Sequence, residues 1–337
     1  MYNQRPPVPY YAQSPIDPVL QQQQRAYKKH LFGVGNRLGA GLLFLFVIGQ
    51  VVVSVLERVS ERVFPGIVNS GFFYATVEYV VYATVSMGLA FSLVALMGRK
   101  SIFSLIPFEK CSLLLGFSCV MFAFAGIWVG NFVSAVISSM LPQIEESYQL
   151  VAGPQPNTYL QLALDLLQTA AIPALAEEFA FRGVVLGTLR PYGDKFAIIV
   201  SSALFAVIHG NFVQIPFAFC TGVMLAYCVV RTNNLWPAIL VHFINNAYSV
   251  LVTFFADEIS TFASFILAYM WLIFGGIGLM LLLVTKQGVF RGFRPYAGCI
   301  TPAKRTCTII FSPAFVVSCL FYLWVAVRLV LKAMVLS

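Results

Sequence analysis

Nine long apolar stretches, separated by short polar ones, set the pattern of this chain. They run near residues 38–56, 71–97, 111–140, 158–189, 196–211, 213–230, 236–256, 260–285 and 308–331. About 20 apolar residues are needed to cross the hydrocarbon core of a bilayer, so each stretch is read as a transmembrane helix. The fifth and sixth are short and abut at Gly210-Asn211, which makes their boundary the least defined. The expectation is an all-α, polytopic bundle of about eight core spans, with a ninth C-terminal span that is peripheral. Residues 1–30, rich in Pro, Gln and Tyr, have no apolar periodicity and are expected to form a disordered tail. The remainder divides into N-terminal membrane helices (31–157), a core carrying the chemistry (158–256), and C-terminal helices with a basic linker (257–337).

Composition agrees with the pattern. Of 337 residues, 59% are hydrophobic and only 10% charged, against about 45–50% and 25% in soluble domains. The bilayer must therefore solvate most of the surface. The net charge of +8 does not imply a nucleic-acid partner, because the cations sit at the ends of apolar runs and form no continuous face. When the loops are assigned to alternate sides, one side collects Arg5, Arg25, Lys28, Lys29 and Arg37, then Arg99, Lys100 and Lys110. It also collects Arg190, Lys195 and Arg231, and the linker cations from Lys286 to Arg305. The other side's internal loops have only Arg58 and Arg62, together with the acidic pairs Glu145-Glu146 and Asp257-Glu258. Basic residues accumulate on the cytoplasmic side, so the N-terminus is expected there, with a bacterial plasma membrane as the expected location. The seven cysteines form no CxxC and are read as packing residues.

Charges inside spans cost roughly 2.5–3.5 kcal/mol each at the helix centre and need a reason. The fourth span holds Glu177, Glu178 and Arg182. Glu178 and Arg182, four apart, share a helix face and can neutralise each other, whereas Glu177 points about 100° away. His209 falls in the fifth span, and His242 and Asn246 share a face of the seventh. His30, in the basic tail, is assigned no chemistry. At 1.5 Å per residue, Glu177 and His209 lie about 20 Å from the basic ends of their helices, with His242 and Asn246 at about 16 and 22 Å. Three helices thus bring polar groups to one depth. A free carboxylate, two imidazoles and a carboxamide suit amide hydrolysis, with a base for water and donors for an oxyanion. Two histidines and a glutamate also suit a divalent metal such as zinc, and the sequence does not choose between the two.

Glu177–Arg182 (EExxxR), Phe205–His209 (FxxxH) and His242–Asn246 (HxxxN) resemble the three signatures of the CPBP family, which groups the type II CAAX prenyl endopeptidases with bacteriocin-processing and immunity proteins. The likeness covers about residues 160–255. It implies that Glu177, assisted by His209, activates water, that His242 and Asn246 stabilise the oxyanion, and that Glu178 and Arg182 brace the site. It leaves open a metal held by His209, His242 and Glu177. The implied partners are the lipid bilayer and a peptide or protein substrate at the membrane, such as a prenylated C-terminus. A non-proteolytic immunity or scaffold protein and a proton-coupled transporter are the alternatives. The sequence has no HExxH, GxGD or Gly-x-Ser-x-Gly motif of other intramembrane peptidases.

Overall fold

The computed structural model describes residues 18–63, 66, 71–149 and 155–336. Among these residues the regular structure is helical, with one isolated β-bridge between Phe108 and Asn234. Eight helices are long and apolar enough to cross a bilayer: α1 (Pro18–Val63), α2 (Tyr74–Met97), α3 (Leu113–Met140), α4 (Tyr159–Tyr192), α6 (Gln214–Thr232), α7 (Trp236–Phe254), α8 (Thr261–Val284) and α10 (Pro313–Leu336). Shorter helices stand between them, among them α5 (Asp194–Val207) and α9 (Pro302–Ile310). The protein is a multi-span integral membrane protein. Its outer face carries large apolar side chains such as Phe262, Phe265, Met280 and Leu320.

Three boundaries differ from the hydropathy reading. Helix α1 begins at Pro18 and is 46 residues long, so the segment 18–30, assigned above to a tail, is helix. Its run of Gln, Arg, Ala and Lys is made of good helix formers, and proline fits the first turn. The tail up to residue 17, with Arg5, lies outside the described residues. The expected fifth span is only the 14-residue α5, about 21 Å long and short of the roughly 30 Å hydrocarbon core. It stops before His209, and Gly210 takes a positive φ of 62° in the turn that follows. The expected ninth span is broken at Phe311-Ser312 into α9 and α10. Helix α10 is not peripheral. The Tyr322 hydroxyl donates to the Leu42 carbonyl at 3.0 Å, and the Ala314 N–H donates to Asn36 Oδ1 at 3.0 Å.

Small residues let α8 approach α3 closely at Gly275 and Gly278. A Cβ on either would collide with α3, at Ala125 or at the Met121-Phe122 backbone, whereas Gly276 faces open space. All seven cysteines are free, and the Cys228 thiol donates to the Cys119 carbonyl at 3.3 Å.

The loops that the charge pattern placed on one side do meet. Arg190 reaches Asp194 at 3.0 Å and Asn233 Oδ1 at 2.7 Å. Arg294 N–H donates to Asp194 Oδ2 at 2.8 Å. Arg231 donates to the carbonyls of Gln287, Gly288 and Arg291. Arg305 donates to the Tyr192 carbonyl at 2.6 Å, and His30 pairs with the Tyr192 hydroxyl at 2.8 Å. This polar floor fixes the ends of α4, α5, α6 and α8, and with them the level of the site above it.

Candidate active site

Helix α4 is not a uniform α-helix. It passes through a π-helical turn at Leu166–Ala171, an α-helical stretch at Ile172–Glu177 and a second π-helical turn at Glu178–Val185. Such wide turns are rare and concentrate at functional sites. The first has a cause in the sequence. Pro173 has no N–H, so the helical ladder lacks a donor there, and the Ile172 N–H bonds back five residues to Leu167. The second begins at Glu178 and contains Arg182.

Glu178 is fully buried and is the hub of the site. Its Oε1 accepts from Arg182 Nη1 at 2.8 Å and from His242 Nδ1 at 2.8 Å. A carboxylate can only accept, so this contact fixes the proton of His242 on Nδ1 and turns Nε2 toward Glu177. Glu177 Oε2 stands 3.8 Å from that nitrogen, a gap that a water or a substrate oxygen bridges with a normal hydrogen bond to each side. Glu178 Oε2 is buried without a hydrogen-bond partner among the described residues. With His242 doubly protonated, the cluster holds two carboxylates and two cations, and its net charge is zero. That balance matters where unpaired charge is costly.

Phe205 organises the remainder. The Arg182 guanidinium lies over its ring at 4.1 Å, a geometry in which the ring quadrupole attracts the cation. The edges of His209 and His242 meet the same ring, with centroids at 5.0 and 6.1 Å. His209 Nδ1 bonds to the Phe205 carbonyl at 2.9 Å. A carbonyl only accepts, so Nδ1 carries the proton and Nε2 is the free basic atom. Arg182 Nη2 also donates to the Gly222 carbonyl of α6 at 3.4 Å.

Asn246 lies one turn beyond His242. Its Nδ2 donates to the Thr169 carbonyl at 2.9 Å, and its Oδ1 accepts from Asn245 at 2.9 Å. Thr169 lies within the first π-helical turn, one helical turn before Pro173. Thus Glu177, Glu178, Arg182 and His242 are in direct contact or near contact, His209 joins them through Phe205, and Asn246 anchors the wall formed by Thr169.

Two features were missed in the sequence. Glu178 was paired with Arg182 alone, although it also holds His242. The Thr169 carbonyl was not considered, although Pro173 signals a missing donor four residues later. Asp165 accepts from Gln168 and Thr169 of its own helix at 3.1 and 2.7 Å. As to the metal that the likeness leaves open at His209, His242 and Glu177, no group of three His, Cys, Asp or Glu side chains among the described residues is drawn together as a ligand set. His242 Nδ1 and His209 Nδ1 are both committed to protein acceptors.

Comparison with known proteins singles out the same stretch of the chain. Residues 159–248, which include every residue of the cluster, match the family described as type II CAAX prenyl endopeptidase Rce1-like. The chain is 29% identical over 147 residues to the membrane-embedded CAAX protease MroQ of Staphylococcus aureus, covering 41% of this chain and 56% of that protein. It is 23% identical over 142 residues to the putative membrane peptidase YdiL of Bacillus subtilis, covering 40% and 56%. The match thus spans little more than half the length of these relatives. No solved structure matches. Residues 159–248 of this chain are thus similar to the type II CAAX prenyl endopeptidases of the Rce1-like family.

Proposed function

We propose that the chain is an intramembrane endopeptidase in which Glu177 is the general base. The observation that carries this reading is the division of labour between adjacent carboxylates. Glu178 is spent on Arg182 and His242, whereas Glu177 has its oxygen 3.8 Å from His242 Nε2 and no closer ion-pair partner among the described residues.

In the proposed reaction, Glu177 takes a proton from a water placed between its carboxylate and the imidazoles, with the free Nε2 of His209 as a second acceptor that orients that water. The resulting hydroxide attacks the scissile carbonyl. Doubly protonated His242, held by Glu178, presents its Nε2–H to the developing oxyanion, and the remaining N–H of the Asn246 carboxamide is a second donor. Glu177 then returns its proton to the departing amine. Arg182 offsets the charge of Glu178, so the site remains neutral while Glu177 cycles. The step needs no group beyond these side chains and water.

The proposed substrates are peptide bonds near the C-terminus of a prenylated protein or in another membrane-associated peptide. Their apolar anchor enters from the lipid, and the cut is made at the level of Glu177. The basic floor of the bundle is proposed to face the cytoplasm, with the N-terminus on the same side.

The test is cleavage of a candidate substrate in membranes by the parent protein and by Glu177→Gln, with both confirmed as folded by their melting curves. Loss of cleavage in a folded variant supports the assignment. Unchanged cleavage overturns it.

A further inference from the structure

A cavity lies well away from the carboxylates, in the basic end of the bundle. Its volume is about 400 Å³, within the range of small-molecule sites. Thr188 and Tyr192, which line it, lie ten and fourteen residues beyond Glu178 on α4, which places it about 15–20 Å along that helix from the catalytic cluster. Its lower wall is apolar, with Val34 of α1, Val94 of α2 and Leu105 of the following loop. Its rim carries Arg37, Lys100 and His30.

Both cations are placed by structure. Arg37 runs between two glycines, and a Cβ added at Gly33 would lie 3.5 Å from its Nη1 and one at Gly98 3.8 Å from its Nε. Lys100 follows a tight helix stop. Arg99 adopts a left-handed φ of 52°, its N–H bonds to the Leu96 carbonyl at 2.8 Å, and the Lys100 N–H bonds to the Ala95 carbonyl at 3.0 Å. This pair of bonds is the Schellman pattern, which turns the chain back on the helix end. A non-glycine residue in that conformation is uncommon, and here it brings Lys100 to the rim instead of leaving it on an extended loop.

Arg190 has a carboxylate partner in Asp194, and Arg231 and Arg305 are held by backbone carbonyls; Arg37 and Lys100 have no carboxylate partner among the described residues. The buried acid nearby, Asp194, is committed to Arg190 and to the Arg294 N–H. No salt bridge to Arg37 or Lys100 forms among the described residues, although two cations on one rim repel each other. His30, a third nitrogen-bearing side chain lining the same space, is held by the Tyr192 hydroxyl. The rim is therefore electrostatically incomplete. A phosphate would complete it, since Arg grips phosphate oxygens in a fork and Lys adds a point charge. The apolar wall beneath would accept the glycerol and first methylenes of a lipid.

We propose that this cavity binds a phosphate-bearing anion, held by Arg37 and Lys100, with the headgroup of an anionic phospholipid from the adjacent leaflet as its source. The site belongs to the bundle framework and does not depend on the peptidase reading.

Native mass spectrometry of the detergent-purified full chain tests this, with phosphatidylglycerol or phosphatidylcholine titrated in. Phosphatidylglycerol adducts are expected on the parent protein. Their apparent affinity should fall about fivefold for Lys100→Gln and roughly 25-fold when Arg37→Gln is added, at about 1 kcal/mol per basic residue near the surface. Lys100 is exposed, so its single variant keeps the test valid if the double variant fails to fold. The charge-matched control, Arg328→Gln with Lys332→Gln near the C-terminal end of α10, should leave the adducts unchanged. Inorganic phosphate is the second arm. Thermal stabilisation by phosphate that Lys100→Gln abolishes, without preference for phosphatidylglycerol, keeps the anion site and assigns it to a free anion. Adducts of equal strength on parent and Lys100→Gln, or an equal loss in the control, would overturn the proposal.

Discussion

Helix α4 and its flank carry two ionic pairs with the same four-residue spacing, and they are built to opposite ends. Near the floor, Arg190 and Asp194 form a closed system. One Asp194 oxygen accepts from Arg190 and the other from the Arg294 N–H, while Arg190 also donates to Asn233. In the middle of the span, Glu178 and Arg182 form an open one. A single Glu178 oxygen serves both Arg182 and His242, the second oxygen has no partner, and Glu177 beside it faces an imidazole across 3.8 Å. A pair that only joins helices has its acceptors filled. A pair that supports chemistry leaves acceptors facing a gap, and its cost is borne by the surrounding packing. Spacing alone does not distinguish the two, whereas the count of satisfied oxygens does.

The largest expected effect separates the pairs by function. Glu177→Gln keeps the shape of the side chain and removes its basicity, so cleavage should fall by about 10²–10⁴, the usual contribution of a general base, with little change in melting temperature. Asp194→Asn at the closed pair should shift the melting temperature and leave the cleavage rate per folded molecule unaltered. Assaying both variants at matched amounts of folded protein checks the contrast. If the two lose cleavage equally, the open pair has no special standing.

Stability should separate them in the reverse sense. Arg182→Met takes away one of the two cations that hold the buried Glu178 charge and should cost about 3–5 kcal/mol. Combining it with Glu178→Gln should restore much of that loss but no cleavage, because His242 loses its charged partner. Arg190→Met should cost less, about 1–3 kcal/mol, since the Arg294 N–H still serves Asp194. Denaturant titration in detergent measures all three, and an Arg190→Met loss as large as that of Arg182→Met would contradict the ranking.

Much of this was readable in advance, for physical reasons. Run length and hydropathy locate helices because each must match the bilayer, and the Glu178–Arg182 contact follows from helical spacing alone. The common depth of Glu177, His209 and His242 came from counting residues to the basic floor; the two imidazoles meet at the Phe205 ring, and Glu177 stands 3.8 Å from His242. Hydropathy measures apolar runs, so it stopped α1 short of its polar but helix-forming start at Pro18. It also lengthened α5 by merging it with the turn at Gly210. Partner choice was the hardest part. Which side chain takes the second place on Glu178 depends on how α7 packs against α4, which no single segment encodes. The π-helical turns were equally hidden, except for the one that Pro173 signals.

That exception gives the smallest and most diagnostic prediction. Pro173 withholds an N–H from the ladder, and the Thr169 carbonyl accepts from Asn246. Pro173→Ala restores the N–H, which then competes with Asn246 for carbonyl acceptors in that turn. The helix should become more regular and the protein no less stable, since proline in a helix interior costs about 3 kcal/mol. Asn246 would lose its anchor and its alignment with the substrate carbonyl, and cleavage should fall about tenfold, less than the 10²-fold that a 1 Å misplacement costs. Gained or equal stability together with lost rate is the signature, read from a melting curve and a cleavage assay on the same preparation. Undiminished cleavage by Pro173→Ala would show that Asn246 does not depend on the Thr169 carbonyl for its position. The unusual shape of α4 would then answer to packing, as the closed pair at Arg190 does.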